Sequence, residues 1–310
     1  MANAPDTVQF SALSTEAIRT GGTGRRRRSA GGTRTLMLVL LPAFVVLAVF
    51  YFYPMLTVLI AAFNDPQLGW QNFQWFFGQQ VNLDVLGRTL LISFWVTVIC
   101  VILAFPFSYF LTVVTPSTRS FLMLIVLIPF WTSTVVRTFA WVILLQDSGP
   151  IGAFMKLFGV DSLGIIRTPT AVLIGMAQVL LPFVVLPMYA TMSKIDTRLL
   201  TAARSLGARP SKAFVSVYLP LSLPGVASGA LLCFVMALGF YITPAMLGSS
   251  RDAFLSTLIQ GQVQGLAQWG HGSVIGFVLL VVTLVILGVA GYVGKKTGGS
   301  VQDMVGGSKA

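Results

Sequence analysis

Six stretches of this chain, residues 35–60, 88–114, 120–146, 170–192, 221–247 and 273–294, are apolar over lengths sufficient to cross a bilayer. A helical crossing takes about 20 residues. Backbone amides and carbonyls inside lipid must find partners within their own segment, so each stretch is predicted to be a helix. The expected fold class is an all-α integral membrane protein with six transmembrane helices. Of the 310 residues, 55% are hydrophobic and 9% charged, more apolar surface than a soluble domain can hide. Pro42, Pro54, Pro106, Pro129, Pro182, Pro187, Pro224 and Pro244 interrupt the stretches and are predicted to kink them. The fifth stretch is bounded by prolines, and its beginning reads equally well as interfacial.

The formal net charge is +11. In a soluble chain that would point to nucleic acid. Here the basic residues flank apolar stretches, so membrane topology accounts for them and no nucleic-acid partner is expected. Fifteen Lys and Arg lie in the N-terminal tail, the turn holding Arg119, the 193–220 segment and the C-terminal tail. The alternate loops hold four: Arg88, Lys156, Arg167 and Arg251. This bias places both termini in the cytoplasm. The expected divisions are a disordered basic tail over 1–34, a transmembrane domain over 35–295 and a second tail over 296–310. Arg25 to Arg28 could suggest a twin-arginine export signal. The following apolar run is too long for a signal core and has no evident cleavage site, so an uncleaved first span is expected.

One charged island breaks the apolar pattern. Lys194, Arg198, Arg204, Arg209 and Lys212 fall within 19 residues. Residues 197–206 read as a short helix capped by Asp196 and ended by Gly207 in the left-handed conformation. Pro210 suits the first turn of a second helix, which Pro220 is expected to stop. The result is a helix–Gly–helix hairpin on the cytoplasmic side.

The hairpin resembles the cytoplasmic loop of permease subunits of type I ABC importers. That family's pattern is Glu-Ala-Ala, three residues, Gly, nine residues, then an aliphatic, any residue and Leu-Pro. Here the positions are Thr201-Ala202-Ala203, Gly207 and Val217-Tyr218-Leu219-Pro220, with Thr201 in place of the usual Glu. Two further runs, residues 128–141 and 240–248, resemble the polyamine/opine-type group, which includes spermidine and putrescine permeases. The resemblance implies a bacterial inner-membrane transport subunit rather than an enzyme. It implies as partners an ATPase dimer, a second permease subunit (more often a paralogue than a copy), a periplasmic or lipid-anchored solute-binding protein and membrane lipid. It implies no cofactor in this chain, with ATP and Mg in the ATPase. By matched position, Thr201, Ala202, Ala203, Gly207, Leu219 and Pro220 are the ATPase-coupling residues.

The residues themselves supply no catalytic machinery. Cys100 and Cys233 fall inside apolar stretches and read as small buried hydrophobes. The single histidine, His271, sits at a loop edge, and no metal-ligand spacing appears. Apart from Arg88 at the edge of the second, Arg137 is the only charged residue within the apolar stretches, a position that usually faces a wet cavity or a partner. It either lines the solute path or pairs structurally with a carbonyl or a subunit acid. Phe130, Trp131, Trp141, Phe240 and Tyr241 complete the candidate path, where rings can hold a cationic amine; packing or an interfacial belt explains them equally. No Asp or Glu lies in any apolar stretch. An amine solute, an opine, an amino-phosphonate and other zwitterionic or anionic solutes therefore stay open. An ion-coupled secondary transporter is the rival reading, and it predicts intramembrane ionisable residues and inverted repeats. The aromatic cluster Trp70, Phe73, Trp75, Phe76 and Phe77 reads as a belt or as a docking ledge. The small residues at 225–230 and 288–291 allow close helix approach, either within the chain or to another subunit.

Overall fold

The computed structural model describes residues 41–159, 162 and 164–305, with side chains described except at residue 250 and beyond 292. Arg25 to Arg28, the tail over 1–34 and the last five residues lie outside these. Chain contacts separate residues Met1–Leu56 from Thr57–Ala310. In the first unit, residues 41–56 are helical with a π turn at Ala48–Phe52, and Phe50 and Tyr51 are exposed. This helix, α1, runs Leu41–Asn64.

Among the described residues, five helices are long and apolar enough to cross a membrane: α1, α3 (Gln80–Val113), α7 (Pro169–Met192), α9 (Pro210–Leu238) and α12, whose apolar part is Trp269–Tyr292 within the helix Trp269–Val305. A short helix, α2 (Gln71–Gly78), precedes α3. A sixth crossing is made only if two bent pieces count together. These are Pro116–Trp131, comprising α4 (Pro116–Leu127) and one 3-10 turn, and Thr134–Lys156, comprising α5 (Thr134–Leu145) and α6 (Pro150–Lys156). They meet at 99°. The kink expected at Pro129 in the 120–146 stretch is thus a full break. Pro129 lacks the N–H that would bond back to the preceding turn, and Thr132 is extended.

The fifth apolar stretch also differs from expectation. Its helix starts at Pro210 and ends at Leu238, and residues Ile242–Leu247 form a separate short helix, α10. Pro220 does not stop the hairpin's second helix. A π turn over Phe214–Tyr218 leads directly into Leu219–Leu238, so the helix runs on through Pro220, whose missing N–H falls where the π turn has shifted the backbone hydrogen-bond register. The helices also outrun the apolar stretches, so Arg137 is not the only charged residue in a helical crossing. Asp84 and Arg88 ride in α3, Arg119 in α4, Lys156 in α6 and Lys212 in α9.

The main core lies where α3, α7 and α9 pack. Val96, Cys100, Ala104, Met176, Leu180, Val184, Met188, Cys233 and Ala237 are buried there. α7 and α9 approach closely because α9 offers glycine. A Cβ at Gly225 would lie 2.7 Å from Thr191 Cβ, and one at Gly229 would lie 3.0 Å from Val184 O. Gly225 and Gly229 therefore serve packing within this chain, whereas a Cβ at Gly288 or Gly291 would meet no atom within 4 Å. Ala227 and Ala230, by contrast, line an apolar groove with Phe94, Ile286 and Ala290.

A second core joins residues near Ala62, α2, the start of α3, α11 (Leu255–Gln260) and α12 through Phe76, Val85, Leu255, Val274 and Ile275. Here buried Asn72 donates to Ala62 O at 3.0 Å and Asp65 O at 2.7 Å. The aromatic cluster divides. Phe76 is fully buried, Phe73 packs against Phe63 and Phe277, Trp75 stacks on His271 at 3.8 Å, and Trp70 and Phe77 stay exposed.

Candidate functional site

The charged island forms the expected hairpin. Its first helix, α8, spans Arg198–Ser205. The Asp196 carboxylate accepts from Arg198 N–H at 2.8 Å and so caps the entry. At the exit Gly207 has φ +88°, a conformation that costs a side-chain-bearing residue about 1–2 kcal/mol. Ala208 N–H donates to Ala203 O at 3.1 Å and Gly207 N–H donates to Arg204 O at 2.9 Å. This crossed pair closes the helix as a Schellman turn. Pro210 then opens the second arm behind extended Arg209.

Thr201 and Ala202 are exposed on α8, and Ala203 is half-buried. Leu219 and Pro220 lie in α9, half-buried and beyond the π turn, whereas the hairpin's exposed face lies on α8. Two residues of that face were not singled out from sequence. Leu206, at the tip, is 90% exposed, and Leu199 is also exposed. An apolar residue followed by a left-handed glycine outside any apolar stretch is the signal that could have found Leu206. The hairpin offers a short helix, two exposed leucines and five cations to whatever docks on it.

A cavity of 440 Å³ opens where the broken crossing meets α7, the end of α9 and α10. Phe130, Arg137, Phe240 and Tyr241 line it together, with Phe183 and Met236 from α7 and α9 added by the structure. The rings of Phe130 and Phe183 are 4.9 Å apart at 63°. Trp131 is 88% exposed and Trp141 is half-buried, donating Nε1–H to Gln178 Oε1 at 3.5 Å; neither lines the cavity.

Arg137 answers the break in the helix. Its Nη2 donates to Pro129 O and, at 2.8 Å, to Thr132 O, while its Nε donates to Thr132 Oγ1 at 3.3 Å. At the 99° bend the Thr132 carbonyl thus receives a charged donor from the next turn, and so does Pro129 O, which also accepts from Thr132 N–H and Oγ1–H. The same side chain contributes to the cavity wall. Behind it, the Thr138 and Thr243 hydroxyls share a buried hydrogen bond of 3.2 Å that ties α5 to α10. Among the described residues no group of three His, Cys, Asp or Glu side chains could hold a metal ion.

A membrane-crossing helical bundle, a basic hairpin between two crossings and an aromatic cavity at a broken helix describe a transport subunit. The chain belongs to the family described as "Binding-protein-dependent transport system inner membrane component", which matches residues 96–298. It is 32% identical over 201 residues to the "Spermidine/putrescine transport system permease protein PotB" of Escherichia coli strain K12, covering 64% of this chain and 73% of that one. It is 31% identical over 250 residues to the "Inner membrane ABC transporter permease protein YdcU" of the same strain, covering 73% and 79%. A "Probable sulfate transport system permease protein cysT" of Chlorella vulgaris is 32% identical over 204 residues, covering 64% and 74%. In fold, the chain is similar to a chain of the bacterial alginate ABC transporter bound to a pentasaccharide-loaded periplasmic protein, with TM-score 0.71 and 20% identity over 84% of this chain and 94% of that one. It is therefore a multi-pass inner-membrane permease component of a binding-protein-dependent ABC importer. It is not itself an ATPase, and ATP is bound by a partner subunit.

Proposed function

We propose that this permease passes a small cationic amine of the polyamine class, as one half of a two-permease pore whose other half is a paralogue. The observation that carries the solute class is the 32% identity, over about two thirds of the chain, to spermidine/putrescine permeases. The cavity is compatible with it. Phe130, Phe183, Phe240 and Tyr241 offer ring faces, each worth about 0.5–2 kcal/mol to a desolvated ammonium. Arg137 is engaged by carbonyls, which blunts its repulsion of a cation.

The basic side of the chain, with both termini and the hairpin, faces the cytoplasm in this reading. α8 docks on the ATPase through the Thr201–Ala203 face and Leu206, with Gly207 setting the angle between the arms. The outer loops receive a solute-loaded binding protein. Closure of the ATPase dimer draws the hairpins together and opens the pore outward, and hydrolysis resets it. Rigid short helices transmit such motion.

A second reading has its own observation. Arg137 lines the cavity, and a sulfate permease is among the similar proteins, so an anionic or zwitterionic solute would also find a partner there. Uptake by the complete transporter in proteoliposomes, with labelled putrescine and spermidine against labelled sulfate and an opine, separates the two. ATP-dependent amine uptake is expected. Uptake of the anion alone would replace the polyamine reading.

A further inference from the structure

At the end of the bundle that carries the hairpin lies a second, smaller cavity of 120 Å³. It sits between the ends of α3 and α7, the start of α4, the chain entering α8 and the π turn of α9. Thr112, Arg119, Tyr189, Ser193, Thr197 and Tyr218 line it, and no acidic side chain does.

Two of these residues have unspent chemistry. Tyr218 is 3% exposed, and its buried hydroxyl has no hydrogen-bond partner. Thr112 lies beside it and donates its own proton to Tyr109 O at 2.7 Å. The Tyr218 ring cannot turn the hydroxyl toward water, because it stacks on Phe214 at 5.2 Å and meets Tyr109 edge-on at 5.2 Å. A buried hydroxyl left unpaired is destabilising.

Arg119 is held in place from one edge. Its Nε donates to Leu111 O at 3.0 Å, its Nη2 donates to Val114 O at 3.3 Å, and its guanidinium carbon lies 5.9 Å from the Tyr189 ring centre. Its Nη1 makes no hydrogen bond among the described residues. A fixed cation, several hydroxyls and no carboxylate select a compact oxyanion over a cation. One water needs about 10–15 Å³ of such space, so the cavity admits a phosphate-sized group.

We propose that this cavity binds a phosphate-class oxyanion between the Arg119 guanidinium and the Tyr218 hydroxyl. The occupant joins the chain entering the hairpin, through Thr197, to the chain leaving it, through Tyr218, and fixes both to the bundle through Arg119. It stiffens the mounting of the hairpin. Free phosphate and the headgroup of an anionic lipid offer the same chemistry. The inference is independent of which solute is carried.

The test uses the purified complete transporter in a phosphate-free maltoside detergent. Its thermal unfolding midpoint is followed against inorganic phosphate, against short-chain phosphatidylglycerol and against sodium chloride at matched ionic strength. A rise with phosphate identifies a free oxyanion, and a rise with phosphatidylglycerol alone identifies a lipid headgroup. In both Arg119→Gln and Tyr218→Phe, losing one bond to a charged group raises the half-effective concentration about tenfold. Tyr218→Phe keeps the ring, so it decides the matter if Arg119→Gln does not fold. No rise beyond the chloride control, or an unchanged response in Tyr218→Phe, overturns the proposal.

Discussion

Arg137 shows how one residue can carry two readings that sequence alone leaves open. A guanidinium in an apolar stretch is costly, and the structure shows what offsets the cost: two carbonyls and a hydroxyl at the helix break. Its cavity exposure follows from the same position. Arg137→Gln keeps some donor capacity but loses the charge, and each charged hydrogen bond lost costs about 1.5–3 kcal/mol. The variant is expected to unfold at a lower temperature in detergent and to take up solute more slowly; wild-type behaviour in both would refute the bracing role. Arg137→Lys is expected to restore little, because an ammonium cannot span the donors that a planar guanidinium presents. A smaller effect is expected at Thr138→Val, where the lost bond to Thr243 inside the membrane is worth about 0.6 kcal/mol. Equilibrium unfolding of that variant beside the wild type reads the difference.

At the scale of elements, hydropathy foretold which segments would be helical but not where they would break. Over the described residues, the six apolar stretches correspond to helices or to the bent pair. The bend itself arises from Pro129 together with a distant partner, Arg137, and no period in the sequence marks a side chain that reaches back across a break. The end of α9 at Leu238 was hidden for a similar reason, since residues 239–247 continue the uncharged run of the helix before them. The hairpin was more legible, because Asp196, Gly207 and Pro210 act locally through caps and backbone angles. Pro220 misled because a π turn absorbs what a regular helix could not. The closeness of α7 and α9 follows from Gly225 and Gly229, and Gly229→Leu should force the helices apart. Overpacking of this kind costs about 1–3 kcal/mol. The expected result is a lower unfolding midpoint and reduced yield of the assembled transporter, with Gly276→Leu, where a Cβ meets no atom within 4 Å, as the tolerated control.

For the whole molecule, power and cargo rest on different observations. The family and the fold establish an importer permease whose energy comes from another chain. Cargo rests on similarity and on an aromatic cavity in which no carboxylate stands. In the proposed two-permease pore, an acid for a polyamine's charges would come from the second permease. The central claim is that motion enters through the hairpin, and one measurement reaches it directly. ATP-driven solute uptake is recorded in proteoliposomes holding the complete transporter, with wild-type permease and with Gly207→Arg, whose left-handed glycine is replaced and whose tip is crowded. The account predicts that the variant inserts and assembles at wild-type levels yet loses ATP-driven uptake. Uptake at the wild-type rate would contradict it.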